Sequence, residues 1–196
     1  AIYGTPSVVE DILYIGGYDG RLYAISLTDT EDRRQIREVW DVLVGDGDPI
    51  VGSPIVADGL VLVGSSDGSM YAFDSFDGSL QWAFQTANKI WSTPVVLGGV
   101  AYFGSLDHKL YAVSLEDGKA VWQSPFSAKG AITARPLISQ GRLYVGAFDS
   151  VFYAIDMVTG RETGRFEGAR NWYWADAVAS GDLIFAPSLD GNLYAL

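Results

Sequence analysis

The sequence predicts an all-β protein: a β-propeller of four-stranded antiparallel blades, with about five blades present and the last incomplete. Three observations carry this. One pattern of residues returns about every 40 positions, Asp-Gly pairs punctuate it at hairpin spacing, and the second apolar run of each unit shows no polar alternation. A period near 40 built from four short strands is the spacing of propeller blades. A parallel β-helix is the rival, but its repeat is shorter and lacks tight hairpins.

The repeat can be read directly. "GGYDGRLYAI" begins at Gly16, "GSSDGSMYAF" at Gly64, "GSLDHKLYAV" at Gly104, "GAFDSVFYAI" at Gly146 and "PSLDGNLYAL" at Pro187. The aspartates are Asp19, Asp67, Asp107, Asp149 and Asp190, at successive offsets of 48, 40, 42 and 41 residues. A tyrosine follows each aspartate by four residues, at Tyr23, Tyr71, Tyr111, Tyr153 and Tyr194. Trp40, Trp82 and Trp122 close the first three units. The units fall at about 5–52, 53–92, 93–134, 135–175 and 176–196, a single propeller domain or propeller fragment over 1–196.

Within the second unit, "PIVAD" reads as strand one and Asp58-Gly59 as the turn into strand two, "LVLVGS". Asp67-Gly68 leads to strand three, "MYAFD", and Asp77-Gly78 to strand four, "LQWAFQ". Asp-Gly between apolar runs is a strong hairpin signal, because glycine takes positive φ at no steric cost. "ILYI", "LVLV" and "VAYF" are apolar at every position, as a strand covered on both faces must be. Each sheet is therefore expected to lie between two neighbours. No window keeps a 3.6-residue period, so helix should be scarce.

In this frame the repeated aspartates close hairpins and the tryptophans wedge between blades. Burying one such ring removes about 150–250 Å² from water. The first unit carries extra residues, "DTEDRRQ", before Trp40, expected to bulge outward as a hairpin tip. The fifth unit stops after its third strand, giving 19 strands in all. Its open edge, "NLYAL", invites pairing with another chain, the expected route to self-association.

Composition narrows the function classes. The 196 residues are 48% hydrophobic and 19% charged, with 23 glycines, enough for a well-buried core. The formal net charge of −11 opposes both nucleic-acid and anionic-lipid partners. With no cysteine, there is no disulfide, thiolate metal site or catalytic thiol. No apolar run approaches the ~20 residues of a membrane helix. The chain opens without a secretory signal, as a mature secreted protein or an excised domain would.

The repeated residues resemble the PQQ-like β-propeller repeat family. The most specific part is its tryptophan-docking motif, Ala-x-Asp-x-x-(Thr/Asp)-Gly-x-x-x-Trp, read here as Ala72, Asp74, Asp77, Gly78 and Trp82. The next copy has Ala112, Ser114, Asp117, Gly118 and Trp122. The fourth keeps Ala154, Asp156, Thr159 and Gly160 but has Gly164 in the tryptophan position. The family includes quinoprotein dehydrogenases, which hold pyrroloquinoline quinone and Ca²⁺ over the axis. It also includes non-catalytic propellers such as the outer-membrane β-barrel assembly lipoprotein and sensor ectodomains. The enzymes carry an adjacent cysteine pair that this chain lacks, and no matching Glu/Asn/Asp calcium set is found. The resemblance implies an extracytoplasmic location, periplasmic or at the cell surface. Propellers of the family more often have seven or eight blades, about 280–330 residues at this period, so the chain is expected to be a fragment of a larger propeller or a five-bladed ring with one weak blade.

The residues that differ between units at equivalent places are the functional candidates. The segments entering each first strand read Ile2-Tyr3-Gly4-Thr5, Ile50-Val51-Gly52-Ser53, Ile90-Trp91-Ser92-Thr93, Ile132-Thr133-Ala134-Arg135 and Tyr173-Trp174-Ala175-Asp176. In a propeller they meet the central channel at one face. Tyr3, Trp91, Arg135, Asn171, Trp172, Trp174 and Asp176 are the expected ligand-binding set, because aromatics with a few polar groups at a concave mouth suit sugar rings, quinones or peptide side chains. The competing reading has the aromatics plugging the axis and Arg135 pairing with Asp176. His108, the single histidine, reads as an exposed turn residue, and one histidine cannot form a histidine metal cluster. "GDGDP" (Gly45 to Pro49) and "DRRQIRE" (Asp32 to Glu38) read as polar loops. No catalytic residue, metal site or cofactor is expected. Function reads as a non-catalytic binding or assembly scaffold for a protein or small ligand. The alternatives are a quinoprotein-type oxidoreductase or its remnant, with quinone and calcium, and a ligand-sensing ectodomain.

Overall fold

A computed structural model describes residues 1–28 and 37–196, and the segment "DTEDRRQ" lies outside the described residues. The described residues form only strands, turns and irregular segments. Nineteen strands make five antiparallel sheets, four of four strands and the last of three. The first holds β1 (Ser7–Val9), β2 (Ile12–Gly16), β3 (Arg21–Ser26) and β4 (Arg37–Leu43). The second holds β5 (Ile55–Ala57), β6 (Leu60–Gly64), β7 (Ser69–Asp74) and β8 (Leu80–Gln85). The third holds β9 (Val95–Leu97), β10 (Val100–Gly104), β11 (Lys109–Ser114) and β12 (Phe126–Ser127). The fourth holds β13 (Leu137–Ser139), β14 (Arg142–Gly146), β15 (Phe152–Asp156) and β16 (Glu162–Phe166). The fifth holds β17 (Val178–Ser180), β18 (Leu183–Pro187) and β19 (Leu193–Ala195). Within each sheet the strands lie in chain order, the meander of a propeller blade.

Turn chemistry sets the register. Each repeated aspartate precedes a residue at positive φ: Gly20, Gly68, His108, Ser150 and Gly191. At His108 (φ 71°) and Ser150 (φ 67°) a side chain is held in the left-handed region that favours glycine. His108 is exposed, as its turn position implies. In the second sheet Leu62 lies opposite Ala72 and Ala72 opposite Trp82. The register then slips by one residue at the same place in the first, second and fourth sheets, after Ala24, Ala72 and Ala154. A bulge of this kind bends the fourth strand.

The third sheet departs from the repeat. Its fourth strand is reduced to Phe126–Ser127, and Trp122 lies in an irregular stretch before it. Pro125 sits between them and has no N–H to offer the ladder.

The core is divided into four layers, one at each joint between neighbouring sheets. β6 and β10 are buried along nearly their whole length, which explains their unbroken apolar sequences. β2 and β18, in the first and fifth sheets, are less completely covered. The expectation of two covering neighbours therefore holds for the inner sheets and weakens at the outer ones. Tyr71, Tyr111 and Tyr153 take equivalent places on β7, β11 and β15, and Tyr153 is fully buried.

Candidate functional site

Five linkers, one entering each sheet, converge on one cavity of about 310 Å³. Two sets of contacts hold them there. The first is a clamp built from the repeated Asp and Tyr. In every unit the tyrosine hydroxyl donates to the aspartate four residues earlier, at 2.8, 2.8, 2.5, 2.6 and 2.8 Å from Tyr23 to Tyr194. The same carboxylate accepts the N–H two residues on, closing the turn at Arg21, Ser69, Lys109, Val151 and Asn192. In the last three units it also accepts an N–H from the incoming linker: Ala87 to Asp107 (3.1 Å), Lys129 to Asp149 (2.9 Å) and Arg170 to Asp190 (2.8 Å). These bonds have electrostatic consequences. The Arg170 N–H, with help from the Tyr194 hydroxyl, draws the Asp190 carboxyl down to about 2. Burial first, and then the Asp partner, pushes the Tyr111 and Tyr153 phenols well above the ordinary range.

The second set ties linker to linker. The Thr5 N–H donates to Ser53 Oγ (2.8 Å), the Ser53 N–H to Thr93 Oγ1 (3.0 Å) and the Arg135 N–H to Asp176 Oδ1 (2.8 Å). The residues are equivalent, so the ties run from each linker to the next. The link from Thr93 to Arg135 is missing from the series, because a guanidinium cannot accept. Backbones pack closely here: a Cβ on Gly4 would fall 2.7 Å from the Gly52 carbonyl oxygen, and one on Gly52 2.8 Å from that of Trp91.

Tyr3, Val51, Trp91, Thr133, Trp174 and Asp176 face the cavity. Thr133 is only 8% exposed, and its hydroxyl has no hydrogen-bond partner among the described residues. A buried hydroxyl in that state leaves a donor and an acceptor for an incoming group. Trp91 and Trp174 meet edge to face, with centroids 6.5 Å apart. The Trp91 N–H donates to Ser66 Oγ (3.1 Å), and the Lys89 ammonium sits 5.9 Å from its ring. Beside them, Phe148 lies between two indoles, stacked on Trp172 at 4.6 Å and on Trp174 at 5.4 Å. Trp172 and Trp174 remain 47% and 48% exposed, and Tyr3 is also exposed. Trp91, packed against Trp174, is only partly exposed.

Of the seven candidates from sequence, Tyr3, Trp91, Trp174 and Asp176 are brought together at the cavity. Trp172 joins through Phe148, outside the lining. Asn171 caps its own linker, accepting the Trp172 N–H (2.8 Å). Arg135 reaches Asp176 through its main-chain N–H, and no salt bridge between the two side chains forms among the described residues. Arg135 lines a separate cleft with Leu137 and Val178. Sequence reasoning missed Phe148 and did not single out Thr133. The signal for Phe148 was its place before the repeated Asp, where other units carry Tyr18, Ser66, Leu106 and Leu189. Tyr18 likewise meets Tyr3, at 5.4 Å.

The lining offers one carboxylate, Asp176, already engaged with Arg135. No group of three His, Cys, Asp or Glu side chains that could hold a metal converges among the described residues. Ca²⁺ takes six to eight oxygen ligands, so this donor set does not fit a calcium–quinone pair. Gly45–Gly47 of "GDGDP" forms a turn. No helix among the described residues is long and apolar enough to cross a membrane.

Solved structures share the fold. The computationally designed Ika8 protein superposes with a TM-score of 0.83 at 16% identity over 97% of this chain and 56% of its own. BamB from Moraxella catarrhalis gives 0.82 at 20% identity over 99% of this chain and 57% of its own. The quinohemoprotein alcohol dehydrogenase ADHIIG from Pseudomonas putida HK5 gives 0.82 at 18% identity over 100% of this chain and 40% of its own. The chain thus spans little more than half the length of these proteins, or less. No curated protein matches it in sequence. The family model described as outer membrane protein assembly factor BamB matches residues 1–196, and the chain belongs to that family.

Proposed function

We propose that this chain is a non-catalytic binding scaffold that takes a polypeptide partner at its axial mouth. The observation that carries the reading is the half-exposed Trp172–Phe148–Trp174 stack standing beside a cavity that holds the unpartnered Thr133 hydroxyl. Stacked rings offer apolar area at low entropic cost, and indoles are enriched among the residues that dominate protein interfaces. The free hydroxyl suits a peptide group, which carries both a donor and an acceptor. Membership of an assembly-factor family supports a protein partner, and with it an extracytoplasmic location at the outer membrane.

The test is a titration of a labelled extended peptide with alternating aromatic residues, read by fluorescence anisotropy. Wild type is expected to bind it. The double variant Trp172→Ala/Trp174→Ala should lose at least about tenfold in affinity, the scale of losing an aromatic anchor, while keeping its melting temperature. Equal affinity in the two proteins, or no binding by wild type, refutes the proposal.

A further inference from the structure

The third sheet departs from the repeat at its outer edge, and the turn facing that edge departs with it. In the second sheet Ala83 alone separates Trp82 from Phe84, whereas in the third Gln123, Ser124 and Pro125 separate Trp122 from Phe126. The two anchors keep their places. Trp122 packs on Gly160 as Trp82 does on Gly118, and Phe126 meets Tyr153 at 5.0 Å as Phe84 meets Tyr111 at 5.5 Å. Phe126 lies opposite Leu110 as Phe84 lies opposite Met70. The extra residues are therefore looped out between two fixed points. The Val121 N–H still donates to the Ala112 carbonyl (2.8 Å), but the Gln123 and Ser124 N–H groups bond no main-chain carbonyl among the described residues.

Across the joint stands the turn between β15 and β16. The equivalent turns of the second and third sheets read Phe76-Asp77-Gly78-Ser79 and Glu116-Asp117-Gly118-Lys119, and this one reads Val158-Thr159-Gly160-Arg161, without a carboxylate. Loop and turn enclose a cleft of about 740 Å³, within the size range of small-ligand sites. Its walls belong to the third and fourth sheets, each with four strands and a neighbour on either side. Arg161 is the one ionisable residue of the lining. It makes no salt bridge among the described residues, and the acids beside it are engaged. Glu162 holds Arg165 through both oxygens at 2.6 Å, and Asp156 accepts the Val158 and Thr159 N–H groups and the Thr159 hydroxyl. Lys119, the equivalent residue at the preceding joint, is held by Asp117 (2.6 Å). Gln123, Ser124 and Ser127 add an exposed amide and two exposed hydroxyls, and Pro125 and Val158 add apolar surface.

We infer that this cleft binds a carboxylate. A planar guanidinium takes a carboxylate through two parallel hydrogen bonds. On a chain of net charge −11, the cleft offers an anion a cation with no acid in the lining to repel it. The amide and hydroxyls serve a second polar group, and the apolar surface takes the carbon skeleton. The cleft shares no lining residue with the axial mouth and is independent of the function proposed for it. A free organic acid and an acidic side chain of a polypeptide share this chemistry.

The test is ¹⁹F NMR of 4-fluorophenylacetate and of a short, C-terminally amidated peptide carrying glutamate and 4-fluorophenylalanine, each titrated with the protein at low salt. The small acid should bind with a dissociation constant of roughly 1–10 mM. The uncharged 4-fluorophenylacetamide should bind at least about tenfold more weakly, and Arg161→Gln should weaken binding of the acid by a similar factor. Thr159→Asp, which restores the carboxylate of the other turns, should weaken it as well. Lys119→Gln, at the same position of the preceding joint, should bind as wild type. Binding of the peptide assigns the cleft to an acidic polypeptide segment, and binding of the acid without the peptide assigns it to a free organic acid. No line broadening of either probe with wild type, equal binding of acid and amide, or a loss in Lys119→Gln as large as that in Arg161→Gln overturns the inference.

Discussion

Two rings of residues sit side by side at the same end of the sheets and follow opposite rules. The clamp ring repeats Asp and Tyr in every unit with nearly constant geometry, the hydroxyl–carboxylate distance staying within 2.5–2.8 Å. The mouth ring places Tyr3, Val51, Trp91, Thr133 and Trp174 at one equivalent position, and no two neighbours are alike. A residue that holds the frame faces the same surroundings five times, so the same side chain serves five times. A residue that faces the cavity is free of that constraint. Repetition marks what builds the propeller, and variation marks what it presents.

The comparison can be broken most directly by setting a wedge between the sheets against a residue of the mouth. Trp82→Ala should cost about 3–5 kcal/mol, because the ring is buried against Gly118 and its N–H bonds Leu115. Trp174→Ala, half exposed at the mouth, should cost under about 1 kcal/mol by the same denaturant titration. If both variants unfold at the same denaturant concentration, the division between frame and mouth fails.

A smaller effect lies within the clamp ring. Asp149 takes three donors: the Val151 and Lys129 N–H groups and the buried Tyr153 hydroxyl. Asp149→Ala should cost about 1–3 kcal/mol in chemical denaturation, the penalty for unpaired buried donors. Among the described residues Asp19 takes the Arg21 N–H and the Tyr23 hydroxyl, in a solvent-exposed bond, so Asp19→Ala should cost measurably less. Smaller again is the gain from relieving positive φ at His108, where His108→Gly should add about 0.5–1 kcal/mol and raise the melting temperature.

The acid limb sharpens the same comparison. The folded Asp190 carboxyl lies at about 2, below its ordinary value of 3.8. A depressed folded value contributes stability above the unfolded value and loses it as pH falls toward the folded one. Melting temperature should therefore drop between pH 3.8 and about 2, and Asp190→Asn should flatten that slope. An unchanged slope in the variant would place the acid sensitivity elsewhere.

Much of this architecture was legible because strands, turns and wedges are written locally. Asp-Gly pairs announce hairpins, "LVLV" announces a strand covered twice, and Gly164 stands out where Trp82 and Trp122 do not. The shortened β12 was hidden, since Trp122 suits a strand and only Pro125 after it interrupts the ladder. The mouth was legible as a set of equivalent positions but not as contacts. Phe148 stacks on Trp172 and Trp174, more than 20 residues downstream, because a turn of one unit lies beside the linker leaving that unit. Arg135 and Asp176 look like an ion pair in sequence, yet the main chain makes the bond. Nothing in residue identity tells which atoms will meet.

The central claim is that the frame and the binding surface are separable, and one paired measurement tests it. Melting temperature and peptide affinity are measured on Asp149→Ala and on Trp172→Ala/Trp174→Ala together. The account predicts that the aspartate variant melts lower while its folded fraction binds like wild type, and that the tryptophan variant melts like wild type and binds weakly. A tryptophan variant that loses stability in step with affinity, or an aspartate variant that loses affinity without losing stability, would contradict it.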